Sequence, residues 1–204
     1  MIDLRRVRAN FDRRAQTFLT ALASVQVGPP RPRDRVAAYV AMELQTALGR
    51  VARSVYLAHA VHGRTASGTK TGLRLYPSYH AALLGAAKVI KPKAAQVPGR
   101  DEPAWHSPHH FGVVSSGHGF PITVVTGMDP WVDTIRAVKY LRHFYAHRNQ
   151  STWEEVRDEM FSQFAFVMTG HPSEALVSGA PGSPTPFLEG WVWDYVDTVA
   201  NLCG

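Results

Sequence analysis

The longest helix-period segment of the chain, from about Asp34 to His62, constrains the fold more than any other feature. Val36, Tyr39, Val40, Leu44, Ala47, Leu48, Val51, Val55 and Leu57 recur at steps of mostly three and four residues. That spacing gathers apolar side chains on one face of an α-helix, which then needs other elements to cover it. Asp34 is placed to cap the start, and Gly63 follows the end. Leu4, Val7, Phe11, Phe18 and Leu22 predict another helix from about Asp3 to Val25, ended by Gly28-Pro29-Pro30. A third is expected from about Pro77 to Ile90, where Pro92 stops it.

Asp129-Pro130 opens a fourth helix that carries Trp131, Ile135, Val138 and Leu141 inward. Ser151-Thr152-Trp153-Glu154 offers a capping box for a fifth, running to about Met168. A linker rich in Pro, Gly and Ser spans roughly His171 to Pro186, and a last helix at about 187–202 exposes Trp191, Trp193 and Tyr195. The stretch 93–126 breaks the pattern, being crowded with Pro, Gly and His, with only Phe111–Val114 and Ile122–Val125 strand-like. It is read as an irregular insertion whose candidate local structure is a short β-hairpin. The expected fold class is therefore all-α: a helical bundle formed by residues 1–204 as a single domain, carrying that insertion.

Composition agrees with a folded chain. At 204 residues, 45% hydrophobic and 19% charged, it has enough apolar side chains to bury a core without disulfides or metal, and wholesale disorder is excluded. The formal charge is +6 before any of the ten histidines take up a proton. Arginines crowd the N-terminal third and acids the C-terminal third, so the excess is either an attraction for a polyanion or a solvated basic face. Cys203 is the single cysteine, which fits a reducing compartment. The N-terminus has no apolar signal core, and no run approaches the roughly 20 apolar residues of a membrane span. A cytoplasmic protein without a membrane partner is expected.

The chemistry concentrates in Leu141-Arg142-His143-Phe144-Tyr145-Ala146-His147-Arg148-Asn149-Gln150-Ser151-Thr152, at the end of the fourth helix. Arg142 suits phosphate, since a guanidinium is always charged and grips two oxygens at once. His147 suits proton transfer near neutral pH. Residues five apart on an ideal helix lie about 140° from each other, so the two share a face only if the helix ends between them or the arginine stem bridges the gap. The competing reading is that both simply favour the negative end of the helix dipole.

An arginine, a polar residue and a histidine in this order resemble the R-x4-6-H signature of the HEPN family, the higher eukaryotes and prokaryotes nucleotide-binding domains. The resemblance covers Arg142, His143 and His147, the long helix before them and the all-helical reading of most of the chain. It implies a HEPN-like bundle and a homodimer in which the motifs of two subunits face each other. It also implies a metal-independent endoribonuclease, with no cofactor, that leaves a 2′,3′-cyclic phosphate. Arg142 and His147 would be catalytic, with His143, Asn149 and Arg53 supporting. Such proteins act as toxins or in prokaryotic antiphage defence, so RNA and an antitoxin or defence-system protein are the implied partners. Where some HEPN toxins carry a modifiable tyrosine two residues after the motif histidine, this chain has Asn149. A catalytically inactive HEPN-like module that binds RNA, nucleotide or a protein partner is the alternative.

Each supporting residue has a plainer role open to it. Asn149 either touches phosphate or ends the helix in a left-handed conformation. Tyr145 either lines the site or packs inside the bundle. Glu43, Arg50 and Arg53 fall on one stripe of the long helix, where Arg53 is the best second phosphate ligand or else the ion-pair partner of Glu43 or another acid. His143 and His147 have a metal-ligand spacing and His106, His109, His110 and His118 form a further cluster, but no Cys pair accompanies them and a histidine-rich surface loop is the favoured reading. Gly63 to Gly72 lacks the pattern of a phosphate loop and is read as a flexible loop. Ser115-Ser116-Gly117-His118-Gly119 has no G-x-S-x-G elbow.

Overall fold

The computed structural model describes residues 1–27, 29–71, 73–164, 170–178 and 185–204. In chain order the elements are β1 (Ile2–Asp3), α1 (Leu4–Ala23), α2 (Pro30–Ala60), β2 (Gly63–Arg64), β3 (Lys70–Thr71), α3 (Tyr79–Ile90), α4 (Pro108–Gly117) and α5 (Ile122–Val125). A 3-10 turn at Asp129–Trp131 leads into α6 (Val132–His147) and α7 (Gln150–Glu154), followed by a π-helical stretch at Glu155–Met160, a 3-10 turn at Phe161–Phe164, α8 (Pro172–Ser178) and α9 (Phe187–Cys203). The all-α expectation holds, and among the described residues β structure is limited to three two-residue strands.

Several boundaries differ from the sequence reading for identifiable reasons. α2 starts at Pro30 rather than Asp34, because a proline is well suited to a first helical turn, where its missing N–H is no loss. Asp34 therefore lies inside the helix with its carboxylate available to a distant partner. The two strand-like runs of the insertion are helical. Ser107 caps α4 by accepting from the His110 N–H at 3.4 Å, Pro108 sits in its first turn, and Phe111 and Val114 fall on the same buried side. The Ser-Pro start signal thus prevails over the strand preference of the β-branched residues that follow. The real hairpin is β2–β3, in the segment expected to be a flexible loop. β2 pairs parallel with β1 (Ile2 with Gly63) and antiparallel with β3 (Gly63 with Thr71).

The expected linker contains α8, while residues 179–184 lie outside the described residues. The expected end of the fifth helix near Met168 also lies outside them. Of the three α9 aromatics expected to be exposed, Trp193 is, at 45%, while Trp191 and Tyr195 are buried.

The described chain divides into two compact units. One comprises Met1–Phe11, Ala47–Pro130 and Asp197–Gly204. Its core centres on Tyr56, which stacks on Phe120 at 5.5 Å, meets Trp105 at 5.0 Å and donates to the Ala82 carbonyl at 2.9 Å. The β2–β3 turn is held by the C-terminal residues of the chain, the Ala66 N–H donating to the Cys203 carbonyl at 2.8 Å and the Ser67 N–H to that of Gly204 at 3.1 Å. Gly63 is required where β2 crosses the end of α2, since a Cβ there would collide with Ala58.

The other unit comprises Asp12–Thr46 and Trp131–Val196. Its core takes Phe18 and Leu44, Val138 and Leu141 from α6, and Tyr195 from α9. Thr134 donates to Asp194 at 2.6 Å, a polar tie between α6 and α9.

Candidate functional site

α6 carries the motif, and its two faces are sharply different. Thr134, Ile135, Ala137, Val138, Leu141, Phe144 and Tyr145 are buried. Arg142, His143 and His147 are exposed. Burial of the apolar stripe thus fixes the rotation of the helix and forces the motif cations outward.

The helix does not unwind between them. It continues through His147 and closes at Arg148, which adopts a left-handed conformation (φ 47°, ψ 43°) and donates its N–H to the Phe144 carbonyl at 2.7 Å. Arg142 and His147 consequently keep their divergent directions, about 140° apart around one helix. Among the described residues neither makes an ion pair. His143 and His147 do come together, with ring centroids 4.8 Å apart in an edge-to-face arrangement. His143 Nδ1 stands 3.0 Å from Glu155 Oε2. An ionised carboxylate only accepts, so this nitrogen carries a proton, and in the neutral ring the other nitrogen is an acceptor. Glu155 was not singled out by the sequence, because it comes from the π-helical stretch after the motif and nothing in its spacing marks it.

Asn149 has a structural task. Its side-chain oxygen accepts from the Thr152 N–H at 2.9 Å, and Thr152 Oγ1 accepts from the Asn149 N–H at 3.3 Å, a capping box for α7. The box begins at Asn149, two residues before the one expected from Ser151, and the left-handed residue is Arg148 rather than Asn149. Arg148 donates from Nη1 to Asp34 Oδ2 at 2.9 Å, and its guanidinium lies 5.4 Å from the centre of the Tyr145 ring. Tyr145 packs inside. Burial, reinforced by Asp34 and opposed by Arg148, pushes its phenol well above the ordinary value. Beside the motif, Phe144, Arg148, Asn149, Gln150 and Trp153 surround an open cavity of ≈ 370 Å³.

The stripe residues of the long helix, Glu43, Arg50 and Arg53, have contacts of their own. Glu43 pairs with Arg14. Arg53 pairs with Glu102, which also accepts the Trp105 indole N–H at 2.7 Å. Arg50 is exposed, and its carbonyl accepts from Ser54. Arg53 lies in the same unit as Glu102, whereas Glu43 and Arg14 belong to the unit that holds α6. Among the described residues no group of three or more His, Cys, Asp or Glu is placed to hold a metal ion. In the insertion, His118 bonds Tyr76 and the Val114 carbonyl, and His110 accepts from the Ala104 N–H at 3.3 Å.

What this end of α6 offers chemically is an exposed guanidinium, an exposed imidazole and a second imidazole oriented by a carboxylate. No protein-family model matches the chain, and neither a curated protein nor a solved structure matches it.

Proposed function

We propose that the chain is a metal-independent endoribonuclease of HEPN type, acting as a toxin or an antiphage defence effector. The observation that carries this reading is that Arg142 and His147 both stand exposed on the last turns of α6, with no ion-pair partner among the described residues. A cation and a proton carrier held on a rigid helix are the two groups that intramolecular RNA cleavage needs. Arg142 neutralises the phosphate. The ribose 2′-oxygen attacks the adjacent phosphorus, the 5′-oxygen leaves, and imidazole takes the proton from one or supplies it to the other. The products are a 2′,3′-cyclic phosphate and a 5′-hydroxyl.

The divergence of Arg142 and His147 on one helix bears on how the site is assembled. The two side chains leave the helix about 140° apart, and the proposal includes a homodimer in which α6 of each copy completes the other's site. The same divergence favours a second reading, a catalytically inactive HEPN-like module that binds RNA, nucleotide or a protein partner through its exposed cations.

Incubation with total RNA and tRNA in excess EDTA, beside Arg142→Ala and His147→Ala, separates the two. Cleavage to cyclic-phosphate ends by the native chain, abolished in both variants, is the expected result. RNA retention without cleavage by any of the three chains sinks the enzyme and leaves the binding module.

A further inference from the structure

A second site lies in the unit that does not contain α6, and nothing in the ribonuclease reading uses it. Tyr76, His118 and Lys88 line an open cavity of ≈ 510 Å³, whose apolar wall is made by Ala81, Leu84 and Val89. That volume is in the range that holds small organic ligands. Among the described residues that line it none is acidic, and the Lys88 ammonium supplies a formal positive charge.

The polar pair in this cavity has a defined direction. His118 Nδ1 is 2.8 Å from the Val114 carbonyl, which only accepts, so Nδ1 carries the proton. In the neutral ring Nε2 is then an acceptor, and Tyr76 donates its hydroxyl proton to it at 2.7 Å. With its hydrogen committed, the Tyr76 oxygen presents only lone pairs to the cavity. Burial raises the Tyr76 phenol above its ordinary value, in keeping with a retained proton. The ring of His118 is held between Tyr56 and Tyr76, with centroids 5.6 Å from each.

Gly85 makes the arrangement sterically attainable. A Cβ at this position of α3 would overlap the Tyr76 hydroxyl, so the phenol can lie against the helix only because residue 85 has no side chain.

We propose that this cavity binds a small organic acid that carries a hydrogen-bond donor on a short apolar body. Lys88 takes the carboxylate, the Tyr76 oxygen accepts from the donor, and the Ala81, Leu84 and Val89 wall covers the body. Three probes differing by one group test each contact by titration calorimetry on the full chain: 4-hydroxybenzoate, benzoate without the donor, and 4-hydroxybenzyl alcohol without the charge. The expected order is 4-hydroxybenzoate tightest, with loss of the charge costing about tenfold in affinity and loss of the donor several-fold. Lys88→Gln should erase the difference between acid and alcohol. Tyr76→Phe, which keeps the ring, should erase the difference between 4-hydroxybenzoate and benzoate. Gly85→Ala should weaken all three, with circular dichroism confirming the fold. Equal binding of the three probes, competition by inorganic phosphate as strong as by the acid, or no binding at about 10 mM would overturn the proposal.

Discussion

Arg148 Nη1 lies 2.9 Å from Asp34 Oδ2, so the residue that terminates α6 is tied to the start of α2 across 114 positions of sequence. Arg148 also holds a left-handed backbone, which costs a residue with a Cβ about 1–2 kcal/mol and is free of that penalty for glycine. The arginine is half exposed and the carboxylate one-fifth exposed, so the ion pair contributes no more than about 1 kcal/mol. Arg148→Ala loses the pair and keeps the strain, whereas Arg148→Gly loses the pair and releases it. The alanine variant is expected to be about 1 kcal/mol less stable than the glycine variant in urea denaturation. Equal stability of the two would mean that the strain is relieved elsewhere.

Tyr145 supplies a sharper test of the packing under the motif. Its hydroxyl is buried, and no hydrogen-bond partner meets it among the described residues. A buried, unsatisfied hydroxyl is a cost rather than a gain. Tyr145→Phe is expected to leave stability unchanged or to raise it by up to about 1 kcal/mol. A loss above that range in thermal or urea unfolding would show that the hydroxyl does have a partner.

The pH dependence of stability should trace in part to His59. Its ring is buried against Phe120 at 5.3 Å, Nε2 has no partner among the described residues, and burial lowers its pKa from 6.5. The unfolded chain therefore takes up this proton before the folded one does. Stability from His59 is complete above pH 6.5 and is lost as pH falls through the lowered folded value. His110, lowered chiefly by burial and further by His109 and Lys91, acts in the same direction. His59→Leu should thus show a smaller fall in Tm between pH 7.5 and 5.5 than the native chain, though not a flat profile. An undiminished fall in the variant would remove His59 from the account.

Much of the all-helical fold was legible because apolar periodicity is a local signal. The long-helix stripe is buried as expected from Val40 to Leu57, whereas Val36 is half-buried and Tyr39 exposed at its start, and α6 turns its apolar side inward as Ile135, Val138 and Leu141 indicate. The insertion departs from the expected strands because the β-branched character of Phe111-Gly112-Val113-Val114 masks the buried pair Phe111 and Val114 at helical spacing, with Ser107-Pro108 ahead, that forms α4. Residue types alone suggested the chemistry of Arg142 and His147. The partners of Asp34, Glu43 and Arg53 were not legible: Arg148, Arg14 and Glu102 lie far away in sequence, and one-dimensional spacing carries no such pairing.

Glu155 gives the motif its most specific prediction. Its carboxylate should hold His143 with the proton on Nδ1, the less favoured tautomer of a free neutral imidazole. Histidine ring nitrogen NMR, read on the neutral ring, is expected to show that form in the native chain and a shift toward the Nε2-protonated form in Glu155→Ala. If the ribonuclease reading is right, His143 acts as a positioning residue by packing its ring edge-to-face on His147. Loosening it should then lower kcat about tenfold, one misplaced proton carrier's worth, with little change in KM. Glu155→Gln, which still accepts from Nδ1, should restore most of that loss. A Glu155→Ala chain with the native tautomer and native kcat would separate the carboxylate from the site and leave His143 as a surface side chain.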